Sequence, residues 1–173
     1  MTFNPDIHHR RSIRLRHFDY SSVGAYFVTI CTIDRGCYFE QFPQLREIVT
    51  NEWNNIPIRF PNVDLDEYVV MPNHFHGIII CRDAPCGYPS ALGDVVGAFK
   101  SLCVNAWLRV IKTENINARG KFWQNNYYEH VIRSDAEMNL IRQYIIDNPL
   151  QWELDRENPL PSKQHQHLSL IHI

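Results

Sequence analysis

The sequence predicts an α+β protein of ferredoxin-like plan, a β-α-β-β-α-β antiparallel sheet carrying one additional C-terminal helix. Three observations predict it. Strand-like and helix-like periodicities alternate in that order along the chain. Two of the strand-like runs meet across the turn-forming pair Pro72-Asn73. After the last strand, Ser134 followed by Glu137 forms a capping-box signature that opens one more helix.

Residues 25–32 are dense in β-branched and aromatic side chains and predict the first strand. Across residues 44–56, Leu45, Ile48, Val49 and Trp53 recur at three- and four-residue steps, and Pro57 and Pro61 end the pattern, so this is the first helix. Residues 65–71 and 74–81 are strand-like on either side of Pro72-Asn73 and predict a hairpin. A loop rich in Asp, Pro and Gly covers residues 82–89, and residues 91–111 then keep helical spacing through Leu92, Val95, Val96, Phe99, Leu102, Cys103, Trp107, Leu108 and Ile111. Residues 121–123 and 127–132 predict a fourth strand with a bend at Asn125-Asn126, and the final helix runs from the cap at Ser134 to Asn148-Pro149. This order is the split β-α-β arrangement with an extra helix.

A chain of 173 residues with 45% apolar composition suits one globular domain. The expected organisation is a basic N-terminal arm over residues 1–20, a domain over 21–152 and a loosely packed tail over 153–173. Five cysteines form no close Cys-x-x-Cys pair, Cys81 and Cys86 lack the spacing of a zinc site, and no secretory leader is apparent, which predicts a reduced, cytoplasmic protein. Apolar runs such as residues 77–81 fall far short of the roughly 18 residues that span a bilayer, so no membrane segment is expected. The net charge of -2 does not advertise a nucleic-acid binder, but its distribution is uneven. Residues 8–17 hold Arg10, Arg11, Arg14 and Arg16 with no acidic side chain, whereas charges between Glu40 and Glu67 are mostly acidic. One face of such a molecule can hold a polyanion; the alternative is a solvated basic tail.

His74, Phe75 and His76 begin the predicted third strand, where alternate side chains share a face. Both imidazoles therefore point one way and Phe75 the other. Two imidazoles at this spacing can chelate one ion and leave positions open for phosphate oxygens, or they are simply two hydrogen-bonded histidines. In the final helix, Met138, Ile141 and Ile145 form the apolar stripe, with Asn148 inside it and Tyr144 on its edge. A carboxamide facing a core needs a polar partner, and Tyr144 and Asn148, one turn apart, project from the same surface. A tyrosine hydroxyl beside a bound phosphate can act as a nucleophile. Taken singly, Tyr144 also reads as a core-edge tyrosine and Asn148 as a helix end before Pro149.

Four segments occur together and in order: Tyr26-Phe27-Val28-Thr29, Met71-Pro72-Asn73-His74-Phe75-His76, Tyr128-Glu129-His130-Val131-Ile132-Arg133, and Tyr144-Ile145-Ile146-Asp147-Asn148-Pro149. In these the chain resembles the REP-associated tyrosine transposases, a branch of the single-tyrosine HUH (histidine, hydrophobic residue, histidine) transposases, over roughly residues 10–152. The resemblance implies that His74 and His76 bind Mg²⁺ or Mn²⁺, that Asn148 is the third protein ligand, and that Tyr144 is the nucleophile. In related insertion-sequence transposases a glutamine stands where this chain has Asn148, whose reach is shorter. The implied activity is metal-dependent cleavage and rejoining of single-stranded DNA through a 5′-phosphotyrosine link, on hairpins formed by palindromic repeats, by a monomer or homodimer. Arg10, Arg11, Arg14, Arg16, Lys100, Lys121 and Arg133 are the candidate DNA contacts, Arg133 being equally suited to a structural ion pair.

Other polar residues carry no assigned role. His8, His9, His165, His167 and His172 read as solvated. Tyr127, Tyr128 and His130 lie near the candidate site in chain order only, with Tyr128 the reserve nucleophile. Two other functions remain open at this point: a non-catalytic module that holds hairpin DNA or RNA, and a metal-dependent phosphodiesterase that uses water.

Overall fold

The computed structural model describes residues 23–82, 92–154 and 158. The basic arm with Arg10, Arg11, Arg14 and Arg16, the loop containing Cys86 and most of the C-terminal tail lie outside the described residues. In chain order the elements are β1 (Gly24–Cys31), a tight turn at Ile33–Arg35, α1 (Tyr38–Gln41), α2 (Pro43–Asn54), α3 (Ile56–Arg59), β2 (Val63–Val70), β3 (His74–Cys81), α4 (Leu92–Glu114), β4 (Tyr128–Ile132), α5 (Asp135–Asp147) and a 3-10 segment Asn148–Leu154.

The strand order is β2-β3-β1-β4, with every neighbouring pair antiparallel. Strands β1 and β2 are thus parallel and separated by β3, the split β-α-β arrangement expected from the sequence. Two expected elements differ in detail. Pro57 does not end helical structure but sits in the first turn of α3, where a missing N–H leaves no helical bond unmade. Residues 121–123 are not a strand; they contribute one isolated bridge, Trp123 to Thr32, before β4 begins.

The strict alternation of side chains gives the sheet two apolar faces. Tyr26, Val28 and Ile30 of β1 and Phe75 and Ile79 of β3 face the main core, where Trp53 of α2 and Phe99 and Trp107 of α4 are fully buried. Ala25, Phe27, Ile78, Ile80 and Ile132 face the other way and are covered by Met138, Ile141 and Ile145 of α5. One position couples the two layers. A Cβ on Gly77 would lie 2.6 Å from the Trp53 ring, so only glycine lets this indole rest on the backbone of β3 beside His76.

Among the described residues Cys31, Cys37, Cys81 and Cys103 form no disulfide, and no helix is long and apolar enough to cross a membrane.

Candidate functional site

His74 and His76 begin β3 on the face covered by α5, with ring centroids 4.5 Å apart and relative exposures of 1% and 5%. Phe75 points into the opposite core against Trp53, as strand alternation requires.

Each imidazole is oriented by its Nδ1. Asp34 and Arg35 adopt φ of 54° and 53°, a left-handed conformation that costs an L residue about 1–2 kcal/mol. That turn sets the Arg35 carbonyl 3.2 Å from Asn73 Nδ2, which donates to it. Asn73 Oδ1 then faces His74 Nδ1 at 2.8 Å and accepts its proton. His74 is thereby held as the Nδ1–H tautomer, with the lone pair on Nε2. On the neighbouring strand Thr29, the register partner of His76, places Oγ1 2.8 Å from His76 Nδ1. In the tautomer whose Nδ1–H donates to Thr29, Nε2 of His76 also presents its lone pair. Burial first, and the nearby His74 second, hold the His76 imidazole down at about 3, so it is neutral throughout the physiological range.

The other half of the site is built on α5. Ser134 caps it, accepting from Glu137 N–H at 3.2 Å, while Glu137 Oε2 accepts from Arg133 N–H at 2.7 Å. Glu137 Oε1 also meets His130 Nε2 of β4 at 2.7 Å. Nearer its C-terminus, Arg142 pairs side-on with Asp66 of β2, each of its two bonds 2.7 Å long. Asp66 lies where the β2–β3 register slips between Leu65 and Tyr68, so that Asp66 and Glu67 together oppose Ile78. Strand alternation from Asp64 puts the carboxylate on the face covered by α5, and the Arg142 guanidinium holds it below the usual carboxylate range. Helix α5 is consequently anchored to β4 and to β2 at two positions in the cross-strand row of Ile78, and lies over the histidine-bearing face.

Tyr144 is thus brought to the histidines. Its Oη is 3.4 Å from His76 Nε2, and its ring contacts Phe27 edge-on with centroids 6.0 Å apart. At 49% exposure the residue remains open to a ligand. Asn148, one turn later, caps α5 at 5% exposure, and its Oδ1 is buried with no hydrogen-bond partner among the described residues. Trp152, one turn further, places its ring centroid 6.0 Å from that of His74. Asn148 therefore occupies the turn between two aromatic rings that flank the two imidazoles. The described residues contain no group of three or more His, Cys, Asp or Glu able to hold a metal. A divalent cation here would have two imidazole nitrogens and one carboxamide oxygen as protein donors, which suits an ion that keeps positions for water or phosphate, and the orphaned Asn148 Oδ1 fits that demand.

The cationic candidates are scattered. Lys100 of α4 donates to the backbone carbonyls of Gln124 and Asn125 at 2.7 and 2.9 Å, and burial, with the charge of Lys121 second, lowers its ammonium to about 8. Lys121 bonds Asn125 Oδ1 at 2.9 Å, and Arg133 is exposed ahead of α5. Sequence reasoning missed Thr29, Arg35, Asp66 and Arg142, whose roles arise from pairings between distant segments. Asn73 was visible only as a turn residue. Tyr128, placed near the site only by chain order, shares a row with it: it pairs with Thr29, which pairs with His76, so the three stand in one row on one face.

No protein-family model matches the chain. It is 40% identical over 178 aligned residues to an uncharacterized protein of Haemophilus influenzae, an alignment spanning 89% of this chain and 96% of that protein. Among solved structures it is similar to a REP-associated tyrosine transposase bound to a REP hairpin, with a TM-score of 0.57 and 19% identity over 82% of this chain and 74% of that one. The chain therefore belongs to one family with the Haemophilus influenzae protein and carries the fold of the REP-associated tyrosine transposase, the family that its motifs resemble.

Proposed function

We propose that this protein is a transposase: a metal-dependent endonuclease and strand transferase that recognises hairpins in single-stranded DNA and cleaves through a 5′-phosphotyrosine intermediate. The observation that carries the reading is the 3.4 Å approach of Tyr144 Oη to His76 Nε2, with both groups on the same chain. The REP hairpin held by the solved neighbour supports a structured single strand as the substrate.

His74 Nε2, His76 Nε2 and Asn148 Oδ1 are the atoms that would hold Mg²⁺ or Mn²⁺, which when bound supplies Lewis-acid polarisation of a phosphate. The chain does the rest. Asn73 and Thr29 orient both imidazoles through Nδ1, and burial keeps His76 neutral, as a metal ligand requires. Tyr144 Oη forms the new bond to phosphorus while the bond to the 3′ oxygen breaks, and the departing strand carries a 3′-hydroxyl. Attack by another 3′-hydroxyl reverses the step and rejoins the strands without an external energy source. Lys100, Lys121 and Arg133, with Arg10, Arg11, Arg14 and Arg16 of the arm, are the proposed contacts to DNA phosphates.

A labelled hairpin oligonucleotide incubated with the protein, with and without Mn²⁺, and run on a denaturing gel tests this reading. A protein-linked band that needs Mn²⁺ and disappears in Tyr144→Phe supports it. Cut DNA without a linked band indicates a water-using phosphodiesterase, and binding without cutting a non-catalytic module.

A further inference from the structure

Both anchors of α5, His130 on β4 and Asp66 on β2, lie in the cross-strand row of Phe27 and Ile78. The row His76, Thr29, Tyr128 lies next to it on the same face, nearer the end where β1 finishes and β4 begins. At about 4.8 Å per strand spacing, Tyr128 stands about 10 Å from His76 across the sheet. Tyr128 is 43% exposed, and the half-exposed Tyr144 borders the site on the helix side.

The adjacent tyrosine pair divides its work by strand alternation. Tyr127 packs against the main core, whereas Tyr128 lies on the histidine-bearing face and is exposed. The connection leading into β4 is fixed in place. Gln124 N–H donates to the Cys31 carbonyl at 2.9 Å, and Lys100 Nζ holds the carbonyls of Gln124 and Asn125. Its own charges are basic: residues 115–128 contain Lys121 and Arg119, the latter 3.8 Å from the Asp34 carboxylate, and no acidic side chain. An exposed aromatic ring on a rigid, positively charged edge is the combination that single-stranded nucleic acids use, because each unpaired base offers a face for stacking and each phosphate a charge.

We propose that Tyr128 is the stacking platform for an unpaired base next to the scissile phosphate, and so positions the strand between itself and Tyr144. This rests on the reading of the protein as a single-strand DNA nuclease. Affinity is measured with full-length protein in the Tyr144→Phe background, on a hairpin oligonucleotide with single-stranded flanks in which each flanking nucleotide is replaced in turn by an abasic one. Tyr128→Ala is expected to weaken binding roughly 5- to 150-fold, the usual range for one stacked base, while Tyr128→Phe and Tyr128→Trp retain it. One abasic position should weaken binding as much as Tyr128→Ala does and cost nothing further in that variant.

Equal losses in Tyr128→Ala and Tyr128→Phe overturn the proposal, because the hydroxyl rather than the ring would then matter. Additive losses at every abasic position overturn it as well. If the adduct at Tyr144 forms normally and Tyr128→Ala binds as the parent does, the stacking role fails while the nuclease reading stands. If no hairpin binds, both fall.

Discussion

Replacing Gly77 by alanine adds one methyl group between the histidine-bearing strand β3 and the core beneath it. The new Cβ would lie 2.6 and 2.7 Å from two atoms of the Trp53 ring and 2.9 Å from the Phe75 ring. Neither ring has room to retreat. Trp53 is fully buried, with its centroid 4.6 Å from that of Phe75 and 5.4 Å from that of Phe99. Overpacking of a closed core costs about 1–3 kcal/mol. For a domain of this size about 2–4 °C of Tm accompanies each kcal/mol, so calorimetry should show a fall of roughly 2 to 12 °C. Because His76 is the next residue, the strand shift that relieves the clash also moves its imidazole relative to Tyr144. Adduct yield, measured well below the melting range, should fall by more than the unfolded fraction. An unchanged Tm would refute the claim that the α2 indole rests directly on the backbone of β3.

Two further outcomes follow from the same geometry. His76 titrates at about 3 in the folded chain and near its ordinary 6.5 when unfolded, so between these values the unfolded state binds the extra proton. Stability should fall as pH is lowered through that window, by up to about 1.4 kcal/mol per pH unit, with His76→Gln losing this dependence in denaturant titrations. Removing the α5 anchor by Arg142→Ala should lower the rate of adduct formation roughly 10- to 100-fold, the effect of a misplaced reacting group, with hairpin affinity unchanged. Partial recovery in the charge-exchanged pair Asp66→Arg with Arg142→Asp, read in the same single-turnover assay, would show that position rather than one side chain is responsible.

Much of this architecture was legible in the sequence because it rests on local periodicity. Alternation about Phe75 gave the shared face of His74 and His76, and the helical stripe of Ile141 and Ile145 gave the inward position of Asn148. The Ser134 cap was readable from a spacing of three. What escaped was non-local. Asp66 and Arg142 meet only because the fold lays α5 across the edge strand β2, and nothing at either position marks the other. The hold of Arg35 on Asn73 depends on two consecutive left-handed residues that are not glycine, a conformation sequence preference argues against. Chain order marks Tyr128 only as a reserve nucleophile because it gives no register, and it is register that aligns it with Thr29 and His76.

The central claim is that Tyr144, held over the histidine pair by α5, is the residue that becomes linked to DNA. Mass spectrometry of peptides from protein incubated with a hairpin oligonucleotide and Mn²⁺ measures this directly. The account predicts a single nucleotide-bearing peptide with the modification on Tyr144, absent from Tyr144→Phe. A modification on Tyr128, or DNA cut at full rate with no modified peptide, would contradict it.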